Sequence, residues 1–200
     1  MTTRRIAAIP ADGYSQPAKF LHWSLALLLP IQIGMGWYML SIEDQPGSGW
    51  YFALHISLGL TAALLVALRI GWRLHHAPPA APPELARWQR RAARSSHALL
   101  YVLMVLMPLT GYLGAAFGGE AMSYFGVPLP AWVTKNEGLK EPLFTAHSII
   151  AWALVGMIVL HVLAAFKHLV INKDTLFRRM WSEGAAAEGT ASVADVHHSN

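Results

Sequence analysis

Charged residues vanish from four long stretches of this chain: Phe20–Leu40, Trp50–Leu68, Ser95–Gly119 and Leu143–Phe166. Each can cross a hydrocarbon core, which takes about 20 residues at a rise of about 1.5 Å per residue. Inside lipid the backbone must satisfy its own hydrogen bonds, so the pattern predicts four transmembrane α-helices. Pro30 and Pro108 fall inside two of them and are expected to kink a helix, not to end it. The segment ahead of the first span is polar, long and mixed in charge, and no small-residue cleavage site follows the apolar run. The first span is therefore expected to be a retained helix and not a cleaved leader. The expected fold class is an all-α membrane protein, a four-transmembrane-helix bundle. Its organisation would be a cytoplasmic segment 1–19, the helical domain 20–170 and a cytoplasmic segment 171–200. The last, rich in Ala, Gly and Ser from Ser182 onward, is expected to be disordered from about residue 182.

Two connections have a character of their own. The run from His76 to Pro83 holds four prolines and reads as a stiff polyproline linker into the basic stretch Arg87–Arg94. The third connection carries Tyr124, Phe125 and Trp132 among prolines, an aromatic cap expected at the outer membrane interface.

Composition narrows the chemistry. Of 200 residues 54% are apolar and only 13% charged, half the charge of a typical soluble domain, where it is about 25%. With no cysteine, the chain can form no disulfide scaffold, thiolate zinc site, iron–sulfur cluster or covalently attached c-type haem. Any cofactor must be held by nitrogen, oxygen or packing. The net charge of +4 is a matter of topology. Thirteen of the 15 Lys and Arg lie in the N-terminal segment, the second connection and the C-terminal segment. Lysine and arginine collect on the cytoplasmic side, so both termini are expected there, and nucleic acid is not needed as a partner. The outer connections hold Lys135 and Lys140 against Glu43, Asp44, Glu120, Glu137 and Glu141.

Five of the ten histidines fall inside spans: His22, His55, His97, His147 and His161. An ionisable group at membrane depth is a functional-site hypothesis by default. His55 and His147 lie at similar depth below the outer edge, and His22 and His161 near the inner edge, giving two cross-helix pairs at two levels. From His147 to His161 is 14 residues, about 1400° of rotation and some 40° short of four turns. The two imidazoles thus share a face of the fourth span, roughly 21 Å apart along its axis. That arrangement suits haem iron held by two axial imidazoles from facing helices. His97 is an alternative to His22 at the inner level, or else a neighbour of the inner cofactor. A mononuclear metal site is disfavoured, because no Asp or Glu accompanies the histidines inside the spans.

The ordered motifs resemble a known family. They are Tyr14-Ser15, Lys19-Phe20-Leu21-His22-Trp23, His55-Ile56-Ser57-Leu58-Gly59 with Arg69 and Arg73, and Ser96-His97-Ala98-Leu99-Leu100-Tyr101 with Pro108 and Gly111. Phe125-Gly126, the series His147, His161 and His168, and the closing Lys173-Asp174-Thr175-Leu176 and Arg178-Arg179-Met180 complete the set. Over about residues 14–181 the chain is similar to the prokaryotic cytochrome b561 family of four-helix dihaem membrane proteins. The resemblance implies two non-covalent haem b groups, the inner on His22 and His161 and the outer on His55 and His147. It also implies electron exchange with ubiquinone and a second redox partner. Some members are superoxide oxidases, and related haem subunits anchor hydrogenases and formate dehydrogenases. Superoxide should be steered by a positive outer surface, whereas the outer connections sum to a formal −3.

Further roles follow by position. Arg69 and Arg73 are candidates for the inner propionates or, equally, topological anchors. Lys19 and His168 lie on the sides of their helices that carry His22 and His161, and are candidates for binding and protonating quinone; snorkelling toward the interface is the plainer alternative. The basic segments could contact anionic membrane lipid or a peripheral redox protein. A haem-bearing anchor subunit is the alternative function, and a proton-relaying transporter a third.

Overall fold

The computed structural model describes residues 13–81, 85–172 and 176–181. Four long helices dominate it: α1 Gln16–Ser41, α2 Gly49–His75, α3 Arg87–Gly118 and α4 Glu137–Phe166. All four are long and apolar enough to cross a membrane. Pro17 occupies the first turn of α1, where no intrahelical N–H is required. Pro30 and Pro108 lie within uninterrupted helices. Helix α3 stops at Gly119, whose φ of 74° gives the left-handed turn that lets its N–H reach the carbonyls of Ala115 and Ala116.

Close packing follows the chain: α1 on α2, α2 on α3, α3 on α4. Helices α1 and α4 meet through side chains, including Trp37 against Trp152 with ring centres 5.4 Å apart. Midway along the bundle, Leu154 is 1% exposed and packs with Leu100 and Leu103 among Met104, Met107, Ile150, Met157 and Ile158. Much of the remaining apolar surface, such as Leu27, Leu64, Val105, Trp152 and Leu163, faces outward as lipid-facing residues must.

Helix α3 begins at Arg87, eight residues before the charge-free window, so the basic stretch Arg87–Arg94 is its first two turns. The third connection holds a short antiparallel hairpin, β1 Ser123–Tyr124 and β2 Val127–Pro128. Its turn has positive φ at both central residues, Phe125 (47°) and Gly126 (88°), the twist that two-residue hairpins favour. The hairpin is fastened to α2 by Ser57, whose hydroxyl accepts from the Phe125 N–H at 3.0 Å, and by Tyr124 Oη, 3.2 Å from Thr61 Oγ1. Beyond Phe166, α4 widens into a π-helix over Lys167–Asn172. The short helix α5 Arg178–Trp181 then folds back: the Tyr14 N–H donates to Arg179 O, Trp23 Nε1 donates to Met180 O, and buried Arg179 donates to Ala80 O at 2.7 Å. The expected disorder from residue 182, Pro82 and Pro83 of the polyproline run, and Lys173-Asp174-Thr175 lie outside the described residues.

Candidate cofactor site

Two imidazole clusters face each other along α4. At the outer level His55 of α2 and His147 of α4 have ring centres 6.5 Å apart. At the inner level His22 of α1 and His161 of α4 are 6.2 Å apart. His97 of α3 joins the inner cluster at 5.5 Å from the His161 ring. Leu154 lies seven residues from each of His147 and His161, so the apolar cluster around it packs α3 against α4 between the two levels.

Local sequence sets each ring. His147 Nδ1 lies 3.0 Å from the Met107 carbonyl, which can only accept, so Nδ1 carries the proton and Nε2 keeps its lone pair. Thr110 Oγ1, 3.3 Å away, shares that nitrogen. Gly111 lets α3 and α4 close on this ring: a Cβ there would sit 2.8 Å from His147 Cε1 and 2.9 Å from Nδ1. His55 is gripped from α1, where a Cβ on Gly36 would lie 3.5 Å from its Cε1.

The inner cluster is cationic. Arg69 donates to the Ala18 carbonyl at 2.9 Å, one turn before His22, and lies within electrostatic range of His22, His97 and His161. Arg73 stacks on Tyr101, its guanidinium carbon 5.5 Å from the ring centre. Lys19 is buried, 7% exposed. Among the described residues every carboxylate lies at the opposite end, in the α1–α2 connection, just after α3 or in the first turns of α4. His168 falls in the π-helix, so the seven-residue spacing that placed it on the face of His161 passes out of α-helical register at Lys167; its Nδ1 lies 3.1 Å from Asn172 Nδ2.

These side chains fit a haem. Two imidazoles sharing one metal, each with a metal–nitrogen bond of about 2.0 Å and about 1.1 Å from nitrogen to ring centre, would have ring centres about 6.2 Å apart. The pairs His22–His161 and His55–His147 match that spacing, whereas His97–His161 is shorter. The donors are neutral imidazoles, the ligands of b-type haem iron, and the buried His55 Nδ1 has no hydrogen-bond partner among the described residues.

Apolar helices presenting imidazoles in facing pairs define an integral membrane haem protein of the helical-bundle class. The chain belongs to the prokaryotic cytochrome b561 family, which it matches over residues 13–183. It is 29% identical over 182 residues to cytochrome b561 homolog 2 of Escherichia coli K12, covering 89% of this chain and 96% of that one. It is also 28% identical over 175 residues to cytochrome b562 of Cereibacter sphaeroides, covering 84% and 94%. A third relative, named probable superoxide oxidase CybB, from Yersinia pestis, is 27% identical over 160 residues, covering 80% and 90%. The chain is thus a membrane haem b protein of electron transfer.

Several residues that shape the site carry no obvious sequence signal. Thr110, Met107 and Leu154 matter through what they touch, and ordinary apolar helix positions look the same. Gln32 does carry one: it is an amide inside a charge-free span.

Proposed function

We propose that this chain carries electrons between ubiquinone and a second redox partner through two haem b groups in the bacterial cytoplasmic membrane, with both termini in the cytoplasm. The observation that carries the reading is the pair of cross-helix histidine couples, 6.2 and 6.5 Å between ring centres, on one face of α4. His22 and His161 would hold the inner group, His55 and His147 the outer. Bound haem b supplies reversible one-electron transfer. The protein supplies ligands, a dry interior around Leu154, and cations. Arg69 and Arg73 would neutralise the inner propionates. Lys19 and His168 would bind quinone at the inner face. The Asn172 amide donates to His168 Nδ1, which fixes the proton of this ring on Nε2. Complete reduction of ubiquinone takes up two electrons and two protons, and His168 would pass the protons from the cytoplasmic side.

The outer surface bears on the second partner. Lys135 Nζ lies 2.8 Å from Glu137 Oε1, and Lys140 Nζ 3.8 Å from Glu137 Oε2. The neighbouring carboxylate holds the Lys135 ammonium above its ordinary pKa. Both outer lysines are thus offset locally, on a surface already net negative, which favours a redox partner protein over a diffusing anion such as superoxide. Haem stoichiometry and low-spin spectra of the His22, His55, His147 and His161 alanine variants test the ligand set. Quinone-dependent haem oxidation in His168→Ala and Lys19→Ala proteins that keep both haems tests the quinone site, and unchanged rates and affinities in both reject it. Superoxide consumption coupled to ubiquinone reduction by the purified chain, if fast and abolished at high salt, would overturn the preference for a protein partner.

A further inference from the structure

Gln32 is a primary amide in the outer half of α1, and its two polar atoms meet different fates. Nε2 donates to the backbone carbonyl of His55 at 3.0 Å. Oε1 is buried and has no hydrogen-bond partner among the described residues, and the same is true of His55 Nδ1. The amide orientation is fixed chemically, because a carbonyl can only accept and the atom facing His55 O must be the NH2. Oε1 is therefore an acceptor lacking a donor, on a side chain bonded to the His55 backbone, and the His55 Nδ1–H lacks an acceptor whenever Nε2 is the ligating atom. Glycines make the contact possible. A Cβ on Gly59 would come within 3.2 Å of Gln32 Nε2, and Gly36, one turn beyond Gln32, admits the Cε1 edge of the His55 ring at 3.5 Å. The contrast with its partner is direct, since His147 Nδ1 has the Met107 carbonyl at 3.0 Å.

We infer that Gln32 is the positioning residue for His55: one buried water accepts the Nδ1–H and donates to Gln32 Oε1, which fixes the tautomer and rotation of this ring. Buried polar atoms without a direct partner are satisfied in this way when a water can gain partners on both sides. Ligating imidazoles almost always donate their second N–H to such an acceptor, which raises ligand basicity. A plain helix staple, the alternative role for a membrane amide, would use the Nε2 bond alone. This inference rests on the reading of His55 as an axial ligand.

The test compares Gln32→Leu, which removes the acceptor at similar volume, with Gln32→Glu, which restores an oxygen there. In Gln32→Leu protein holding both haems, the low-spin electron paramagnetic resonance signal of the outer haem should shift and its midpoint potential rise, with the inner haem unchanged. Gln32→Glu should return both toward the parent values. Loss of the outer haem alone in Gln32→Leu, restored in Gln32→Glu, also supports the role. An unchanged outer signal and potential, an equal change at both haems, or any loss that Gln32→Glu does not restore overturns it. His55→Ala separates the two layers: an outer haem kept in that variant refutes ligation by His55, whereas its loss beside a silent Gln32→Leu refutes only the positioning role.

Discussion

Replacing Gly111 by alanine puts one methyl group where the structure has room for none. The added Cβ would lie 2.8 Å from His147 Cε1 and 2.9 Å from Nδ1. Ordinary carbon–carbon contact begins near about 3.5 Å, so the ring must retreat by roughly 0.7 Å or the α3–α4 seam must open. An imidazole is rigid, and this one is tethered at 3.0 Å to the Met107 carbonyl of the same helix as the new methyl. Overpacking of this kind costs about 1–3 kcal/mol. If His147 is the outer axial ligand, that penalty weakens outer haem affinity by about 5- to 150-fold, taking about 1.4 kcal/mol per decade. The inner haem, held three to four turns away, should be untouched. Titrating haem into the apoprotein and following the reduced-minus-oxidised spectrum measures both affinities. Gly71→Ala is the control, since its Cβ meets nothing within 4 Å. Full outer occupancy at unchanged affinity in Gly111→Ala would refute the assignment of His147, as would equal weakening of both haems.

Further outcomes follow from the same geometry. His97→Ala should keep two haems per chain, because its 5.5 Å ring spacing to His161 is short for a trans pair; a full inner haem in His22→Ala would instead hand the ligand role to His97. Leu154→Ala should cost about 2–5 kcal/mol in stability with both low-spin signals intact, and thermal unfolding monitored by haem absorbance checks it. Arg179→Ala, which removes the 2.7 Å bond to Ala80 O, should cost on the order of 2 kcal/mol and speed proteolytic clipping near Phe177. Lys135 has a raised pKa in the folded state through Glu137, so its contribution is complete below the ordinary lysine value of 10.5 and fades only as pH rises beyond it. Melting temperature in Glu137→Gln should therefore match the parent's pH dependence between about pH 6 and 9.

Why some of this was legible in the sequence, and some not, has a physical basis. Lipid admits few backbone solutions, so absence of charge over about 20 residues announces a helix without any help from tertiary context. The same solvent makes histidine at depth costly, and 14 residues on one helix convert directly into a shared face and a separation. That His55 meets His147 and His22 meets His161 in space follows from this, but depth and spacing left His97 open beside His22, and both rings approach His161. What escaped depends on contacts that leave no periodic trace. The Phe125-Gly126 hairpin lasts two residues per strand, too short for alternation to register, and it is held to α2 by the hydroxyls of Ser57 and Thr61. The helical state of Arg87–Arg94 was hidden because a charge-free window measures the membrane, and α3 continues past it. The π-helix at Lys167 shifts His168 off the simple seven-residue rule. Gln32 lies between these cases. Its presence in an apolar span was visible, but its meaning depends on Gly36 and Gly59 clearing a path to His55 from two different helices. Depth and spacing can thus be read along one chain, whereas the Met107 carbonyl that takes the second nitrogen of His147 is found only when the helices meet.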